Sequence, residues 1–317
     1  MTTFNGAFTM AVMTHGSLET DARMAAILDE EMRVNLTDMA DIRSLPGAIA
    51  NLGTVNGSMS DTHQIRFINL GGADPFVADA TEVAQVVGTN LTDTSVPIAV
   101  VRQTLGREIS DLAIMTGSSN DLDPARLARD LPLSYARRFQ DLIAALLAAF
   151  TTTAGATGVD FSVDDFYDAT YELEQADNNG PYYAMMHGVQ FSHFRESLRA
   201  EGGALQFLPP TGAMLALKNQ GYQGNFLNVD TFKSSRVTDD GVDYFGGMWG
   251  SGAMAYKTAQ HDAKMFMGSS AIAVTQGEVL VEIAHVAGGG KVEVFGDAYV
   301  GVATLEQARA CLLQSGV

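Results

Sequence analysis

The sequence predicts an α+β fold, and three stretches carry that expectation. Residues 130–153, "DLPLSYARRFQDLIAALLAAFTTT", read as one long helix. Residues 62–104 hold strand-like segments separated by turns. Residues 277–305 read as two long strands joined across a triple-glycine turn.

Taken in order, the first ~16 residues are neutral and without pattern, as in an arm ordered by a neighbour. Ser17 is placed to cap a helix with Glu19 and Asp21 in its first turn and Met24, Ile27, Leu28 and Met32 on one stripe. That helix is expected to end before Pro46–Gly47. "HQIRFINL", "EVAQVV" and "PIAVVRQT" then read as strands between turn-rich "GGADPFVADAT" and "GTNLTDTSV". Such a stretch has no helix to lie on. Two or three strands alone are marginal in water, so it needs a surface from the same chain or from another subunit.

The long helix is expected to start at Asp130 as N-cap, with Pro132 in its first turn, and to stop between Phe150 and Thr153. Tyr135, Phe139, Leu142, Leu146 and Phe150 form its expected apolar stripe, and Arg137, Arg138, Gln140 and Asp141 its early polar face. After "AGATG", Ser162 with Asp165 at N3 predicts a capping box, and Phe161 with Phe166 a hydrophobic staple, for a second helix reaching Gln175. "DNNGP" reads as a turn, "YYAMMH" as a buried strand and "VQFSHFRESLRA" as a short helix. Residues 202–258 are Gly-rich and irregular, with short strand candidates such as "FLNVDTFKSS".

Composition excludes several classes. With 317 residues and 46% hydrophobic residues the chain can bury a real core, and the prior is about two domains. The 37 acidic against 19 basic residues leave a formal charge of -18 spread along the chain, which disfavours wrapping nucleic acid. The single cysteine, Cys311, rules out an intramolecular disulfide and reads as a small buried hydrophobe. "MTTFNGAFTMAVMTHGSLET" has no basic n-region, so no secretory signal is expected and the product should stay in the cytoplasm. Residues 142–159 carry no charge, but "TTTAGATG" makes their second half polar and Gly-broken, so no membrane span is expected.

No chemistry stands out. His15, His63, His187, His193, His261 and His285 show no metal-ligand spacing. The triple glycine at 288–290 precedes a strand, so it presents no helix N-terminus to phosphate. "ADNNG" lacks the downstream glutamate of a calcium loop. Asp164–Asp165 and Asp239–Asp240 read as solvated pairs. No enzyme, cofactor or metal is therefore expected.

The order of parts resembles the major capsid proteins of Hong Kong 97-type bacteriophages, a family that includes encapsulin shells. The resemblance rests on "DLPLSYARRFQDLIAALLAAF", "GPYYAMMHGVQFSHFRESL", "GNFLNVDTFKSSRVT" and the closing "VEVFGDAYVGVATLEQARACLL". It implies a capsid fold with an N-terminal arm and helix at 1–57, an extended β loop at 58–108, a peripheral domain with a spine helix at 109–160, an axial domain at 161–269, and peripheral strands with the C-terminus at 270–317. It implies self-assembly into pentamers and hexamers of an icosahedral head around double-stranded DNA in the host cytoplasm, with a separate scaffolding protein, a portal and a cementing protein as partners. Ile65, Arg66, Phe67 and Arg102 are the expected intersubunit contacts, the arginines facing acidic patches.

Two departures matter. The long N-terminal scaffolding segment of the type member is not expected here. Its covalent crosslink starts from a lysine of the extended loop, whereas all five lysines of this chain lie at or beyond Lys218. An encapsulin-type compartment, another virion part such as a tail protein, and a cytosolic α+β enzyme with dispersed site residues are the alternatives.

Overall fold

The structure is a computed structural model that describes residues 47–55, 62–69, 92–110, 112, 124–176, 180–200, 207–208, 221–259, 271–276, 279–286 and 289–317. The helix expected from Ser17 and the strand "EVAQVV" lie outside these residues. In chain order the described elements are β1 (Ala50–Thr54), β2 (Thr62–Asn69), β3 (Thr92–Ala99), β4 (Val101–Ser110), α1 (Pro124–Leu147), β5 (Thr152–Gly155), α2 (Val163–Gln175), β6 (Tyr182–Met186), α3 (Gly188–Ala200), β7 (Phe207–Leu208), β8 (Tyr222–Phe226), β9 (Val229–Lys233), β10 (Asp243–Gly250), β11 (Met254–Ala259), β12 (Ala271–Gln276), β13 (Val279–Val286), β14 (Lys291–Thr304) and β15 (Ala310–Gly316).

They form an α+β body of two sheets and a separate hairpin. One sheet runs β1-β11-β14-β13-β12, with β4 added along β14. The other runs β5-β15-β10-β6-β9-β8-β7. The expected closing strands are β13 and β14, antiparallel from Val279↔Ala298 to Val286↔Lys291, with Gly289 and Gly290 in the turn between them. The chain's last strand then leaves that sheet, and β15 pairs with β10 and β5 in the other.

Burial on both faces explains why "YYAMM" reads as an unbroken apolar run. Tyr182, Ala184 and Met186 face the cluster under α2 and α3, together with Met248, Cys311 and Leu313. Tyr183 and Met185 face the opposite cluster with Trp249, Leu312 and the C-terminal half of α1. Trp249 donates its indole N–H to the Ala48 carbonyl at 2.7 Å, tying β10 to the segment that enters β1. Gln190, fully buried, is satisfied at both ends: its amide donates to the carbonyls of Tyr244 and Leu313, and its oxygen accepts from the His187 N–H.

The long helix departs from expectation at its start. It begins at Pro124, so Asp130 and Pro132 lie inside it. "DPARLARDLP" holds two Asp-Pro-like start signals, and the earlier proline opens the helix at a position where its missing N–H is harmless. The stripe also rotates. Leu131, Tyr135 and Phe139 pack on β13 and β14, whereas Ile143 and Leu147 pack with Phe150 against the seven-stranded sheet. Steps of four residues overshoot a turn by ~40° each, so one row of side chains winds from one sheet to the other. Leu142 and Leu146, expected at the centre of the stripe, are its half-buried flank.

α2 matches its sequence signature. Ser162 Oγ accepts from the Asp165 N–H, and the Asp165 carboxylate accepts from the Ser162 N–H at 2.8 Å. Phe161 and Phe166 are both buried, each packing on Phe194 of α3. "FLNVDTFKSS" divides at Leu227–Asn228, both at positive φ, which make the tight turn between β8 and β9. Among the described residues no helix is long and apolar enough to cross a membrane.

Candidate assembly surface: the extended hairpin and its base

Among the described residues β2 and β3 pair only with each other, as a two-stranded antiparallel sheet from Thr62↔Ala99 to Asn69↔Thr92. Alternation sorts the hairpin's side chains. His63, Ile65, Val96 and Ile98 share one face and are covered to varying degrees, while Gln64, Arg66, Ser95 and Pro97 on the other are exposed. Ile65 and Arg66 therefore present opposite faces. The backbone of Phe67 pairs with Thr94. Pro97 fits a strand with a free edge, because it donates nothing to a ladder.

The hairpin joins the body through Val100. On the far side of that residue β4 pairs with β14 over its whole length, from Val101↔Val300 to Ser110↔Lys291. Residues 101–108 of the expected extended loop are thus built onto the chain's own sheet, and among the loop's described strands β2 and β3 lie outside that ladder. Ile98 and Ala99 cross β14 at Gly301, where a Cβ would meet the Ala99 carbonyl oxygen at 2.3 Å. Glycine is required by that close approach. Ile98 is fully buried at the crossing.

Two ion pairs hold β4 to β14 at its ends. Arg102 donates from Nε to Asp297 Oδ1 at 2.9 Å and from Nη2 to Oδ2 at 2.6 Å, a bidentate fork. The Asp297 carboxylate pushes the pKa of Arg102 further up. At the other end Lys291 reaches Glu108 at 2.8 Å and Glu293 at 2.5 Å, which raises its own pKa and lowers that of Glu108. Arg138 of α1 donates to Gln103 at 3.0 Å, and Tyr135 donates to the Gly296 carbonyl beside Asp297, so the spine helix is tied to the same strands.

The four sequence-derived contact candidates thus separate. Ile65, Arg66 and Phe67 lie on the projecting hairpin, while Arg102 lies below the crossing and is bound by Asp297 of its own chain. Sequence reasoning did not single out Asp297, Glu108, Lys291 or Gly301. The visible signal was the pair of glycines in "VFGDAYVGV", both at crowded positions: Gly296 lies under Tyr135 and Gly301 under the hairpin's base.

Elsewhere the polar residues serve the fold. His187 stacks on Tyr244 with ring centroids 3.9 Å apart, and burial lowers its pKa. His193 lies 3.5 Å from Asp160. Asp240 accepts from the N–H groups of Val242 and Asp243 in a tight turn, which lowers its pKa. Among the described residues no three His, Cys, Asp or Glu side chains gather as a metal site needs.

No family model and no curated protein matches the sequence. Solved structures do match. An encapsulin complex from Synechococcus elongatus aligns over 99% of this chain and 91% of its own, with a TM-score of 0.58 and 11% identity. The mature capsid of bacteriophage PhiM1 covers 85% of this chain and 86% of its own at a TM-score of 0.57 and 8% identity. Mycobacterium phage Che8 covers 80% and 84% at a TM-score of 0.53 and 16% identity. At these identities the likeness is one of architecture: the chain has the fold of Hong Kong 97-type capsid proteins, the fold of phage heads and encapsulins.

Proposed function

We propose that this chain is a shell-forming structural protein, the major capsid protein of a phage head, which assembles as pentamers and hexamers around double-stranded DNA. The observation that carries the reading is the β2–β3 hairpin. In a body whose other described strands belong to two larger sheets, it stands on a two-stranded base with an apolar and an arginine-bearing face. An isolated hairpin is marginal in water, so a neighbouring copy is the surface that completes it. Ile65, Arg66 and Phe67 are then the intersubunit contacts. Arg102 acts in assembly by fixing the hairpin's base.

The same reading divides the chain into arm, extended loop, peripheral and axial domains at the boundaries the resemblance implies. The six-stranded sheet with α1 forms the peripheral part, and the seven-stranded sheet with α2 and α3 the axial part. By pairing, β5 and β15 join the axial sheet and β11 the peripheral one, so these three strands cross the boundaries that the resemblance implies. Scaffolding, portal and cementing proteins are the partners of such a shell, and the host cytoplasm is where it assembles.

An encapsulin-type compartment is the second reading, favoured by the alignment over nearly the whole of this chain. Particles purified from an expressing host and treated with nuclease separate the two. Protected double-stranded DNA in phage-packaged particles supports the head, whereas uniform shells free of nucleic acid and loaded with a protein cargo support the compartment.

A further inference from the structure

α2 and α3 begin with the same reciprocal cap made from different residues. In α2 it is built by Ser162 and Asp165. In α3 a histidine takes the place of the serine: the His187 carbonyl accepts the first helical bond from the Phe191 N–H at 3.0 Å. Its Nδ1 accepts from the Val189 N–H at 3.3 Å, while its own N–H donates to Gln190 Oε1 at 3.0 Å. Histidine stands outside the favoured N-cap set of Ser, Thr, Asp, Asn and Gly. It also differs from serine in that it accepts at Nδ1 only while neutral, because both nitrogens of an imidazolium are donors.

This cap is wired into the sheet. The His187 ring lies flat on Tyr244 of β10, with centroids 3.9 Å apart and planes 12° from parallel. Gln190, the other half of the cap, donates its amide to the carbonyls of Tyr244 at 3.1 Å and Leu313 at 3.0 Å, bridging β10 and β15. Two charged groups face the ring: Lys233 at the end of β9, which runs beside Gly188, and Asp239 in the connection to β10. The first turn of α3, Gly188 to Phe191, carries no charge of its own. Burial and Lys233 oppose protonation, whereas Asp239 and the face of Tyr244 favour it. The balance lowers the pKa. The positive helix N-terminus and the loss of Val189's acceptor act in the same downward direction.

We infer that His187 is an acid-operated catch, closed while its imidazole caps α3 and released on protonation, when the first turn of α3 loosens from β10 and draws Gln190 off its bridge to β15. The sign follows from linkage. The folded value lies below the ordinary histidine value, so the contribution of the catch is complete above the ordinary histidine range and is lost as pH falls through the lowered folded value. Ser162 at the head of α2 does not titrate, so α2 keeps its N-cap acceptor where α3 loses its own. The inference stands on this helix start and does not depend on the shell reading.

The test is amide hydrogen exchange of the full chain, resolved to single amides and corrected for the intrinsic effect of pH, from pH ~7.5 down to ~4.5. Protection of the first-turn amides of α3 is expected to fall about fivefold over that range in the parent, the worth of one N-cap. His187→Asn keeps a cap acceptor that does not titrate. It should match the parent at the upper pH, which shows that it folds, and change less than about twofold on acidification. His193→Asn, which removes the other histidine of α3, should keep the parent's fall. A flat parent profile overturns the inference. So does an equal fall in His187→Asn, which assigns the change to other groups, or a flat profile in His193→Asn. If His187→Asn does not fold, ring nitrogen NMR of the parent decides. Protonation of Nδ1 in step with the loss of protection supports the catch, and an Nδ1 already protonated at the upper pH, or titrating out of step, overturns it.

Discussion

Asp297 is nearly buried and accepts both arms of the Arg102 fork, whose other side is open to solvent. Removing the arginine therefore leaves a carboxylate in a largely dry place with its strongest donor gone. Arg102→Ala is expected to destabilise the chain by about 1–3 kcal/mol, read as a lower denaturant midpoint. Arg102→Lys should recover only part, since an ammonium cannot form the fork. At the opposite end of the ladder, the pH dependence has a definite sign. The folded pKa of Glu108 lies below its ordinary value because Lys291 stabilises the carboxylate. Its contribution is complete above the ordinary carboxylate range and is lost as pH falls through the lowered folded value. The folded pKa of Lys291 is raised, so its contribution is complete below the ordinary lysine range and is lost as pH rises through that raised value. Glu108→Gln should flatten the acid limb of urea midpoint against pH, and an unchanged limb would contradict the pairing. Cys311 gives a further residue-scale check. It is fully buried and its thiol is pushed up to about 12 by that burial. A thiol-specific reagent at neutral pH should label it only at the rate of unfolding.

At the scale of elements, legibility follows how local the determining forces are. α2 was legible to the residue because its cap and staple are side-chain contacts within five positions, Phe161 to Phe166. Ser162→Ala should cost about 1 kcal/mol, and Phe166→Ala, which empties the centre of the Phe194–Phe226 cluster, about 3–5 kcal/mol. α1 was legible as a helix but not in its start or its phase. Two sheets, brought together only by the tertiary fold, decide which residues its winding row buries. The strand "PIAVVRQT" was read as continuous, yet it changes partner at Val100, from β2 to β14. Nothing in alternating apolar residues marks such a change. The glycine that permits it lies some two hundred positions away in β14. Gly301→Ala places a methyl group against the Ala99 carbonyl and should destabilise by about 1–3 kcal/mol. It should also redirect the hairpin, read as a changed distance between spin labels on β2 and on α1.

On the scale of the whole molecule, the architecture joins a body of two sheets, bridged by one winding helix, to a hairpin whose base at Ile98 and Ala99 packs on β14. The fold was legible through the order of parts, and the proposed function leaves no catalytic constellation to read, since a shell protein works through extended surfaces. Of the candidate contacts, Ile65, Arg66 and Phe67 lie on the hairpin, while Arg102 is engaged by a residue 195 positions along the same chain. The absence of lysine before Lys218 carries a prediction of its own. Shells dissolved in hot detergent should run as monomer, and a ladder of covalent oligomers would show a crosslink from some other residue. The central claim is that copies of this chain close into a shell through the β2–β3 hairpin, and cryo-electron microscopy of the expressed protein, alone and with a scaffolding protein, tests it most directly. The account predicts closed particles of uniform size with pentamers and hexamers, each hairpin lying across an adjacent subunit. A compact monomer, open rings or tubes, or a hairpin folded back on its own body would contradict it.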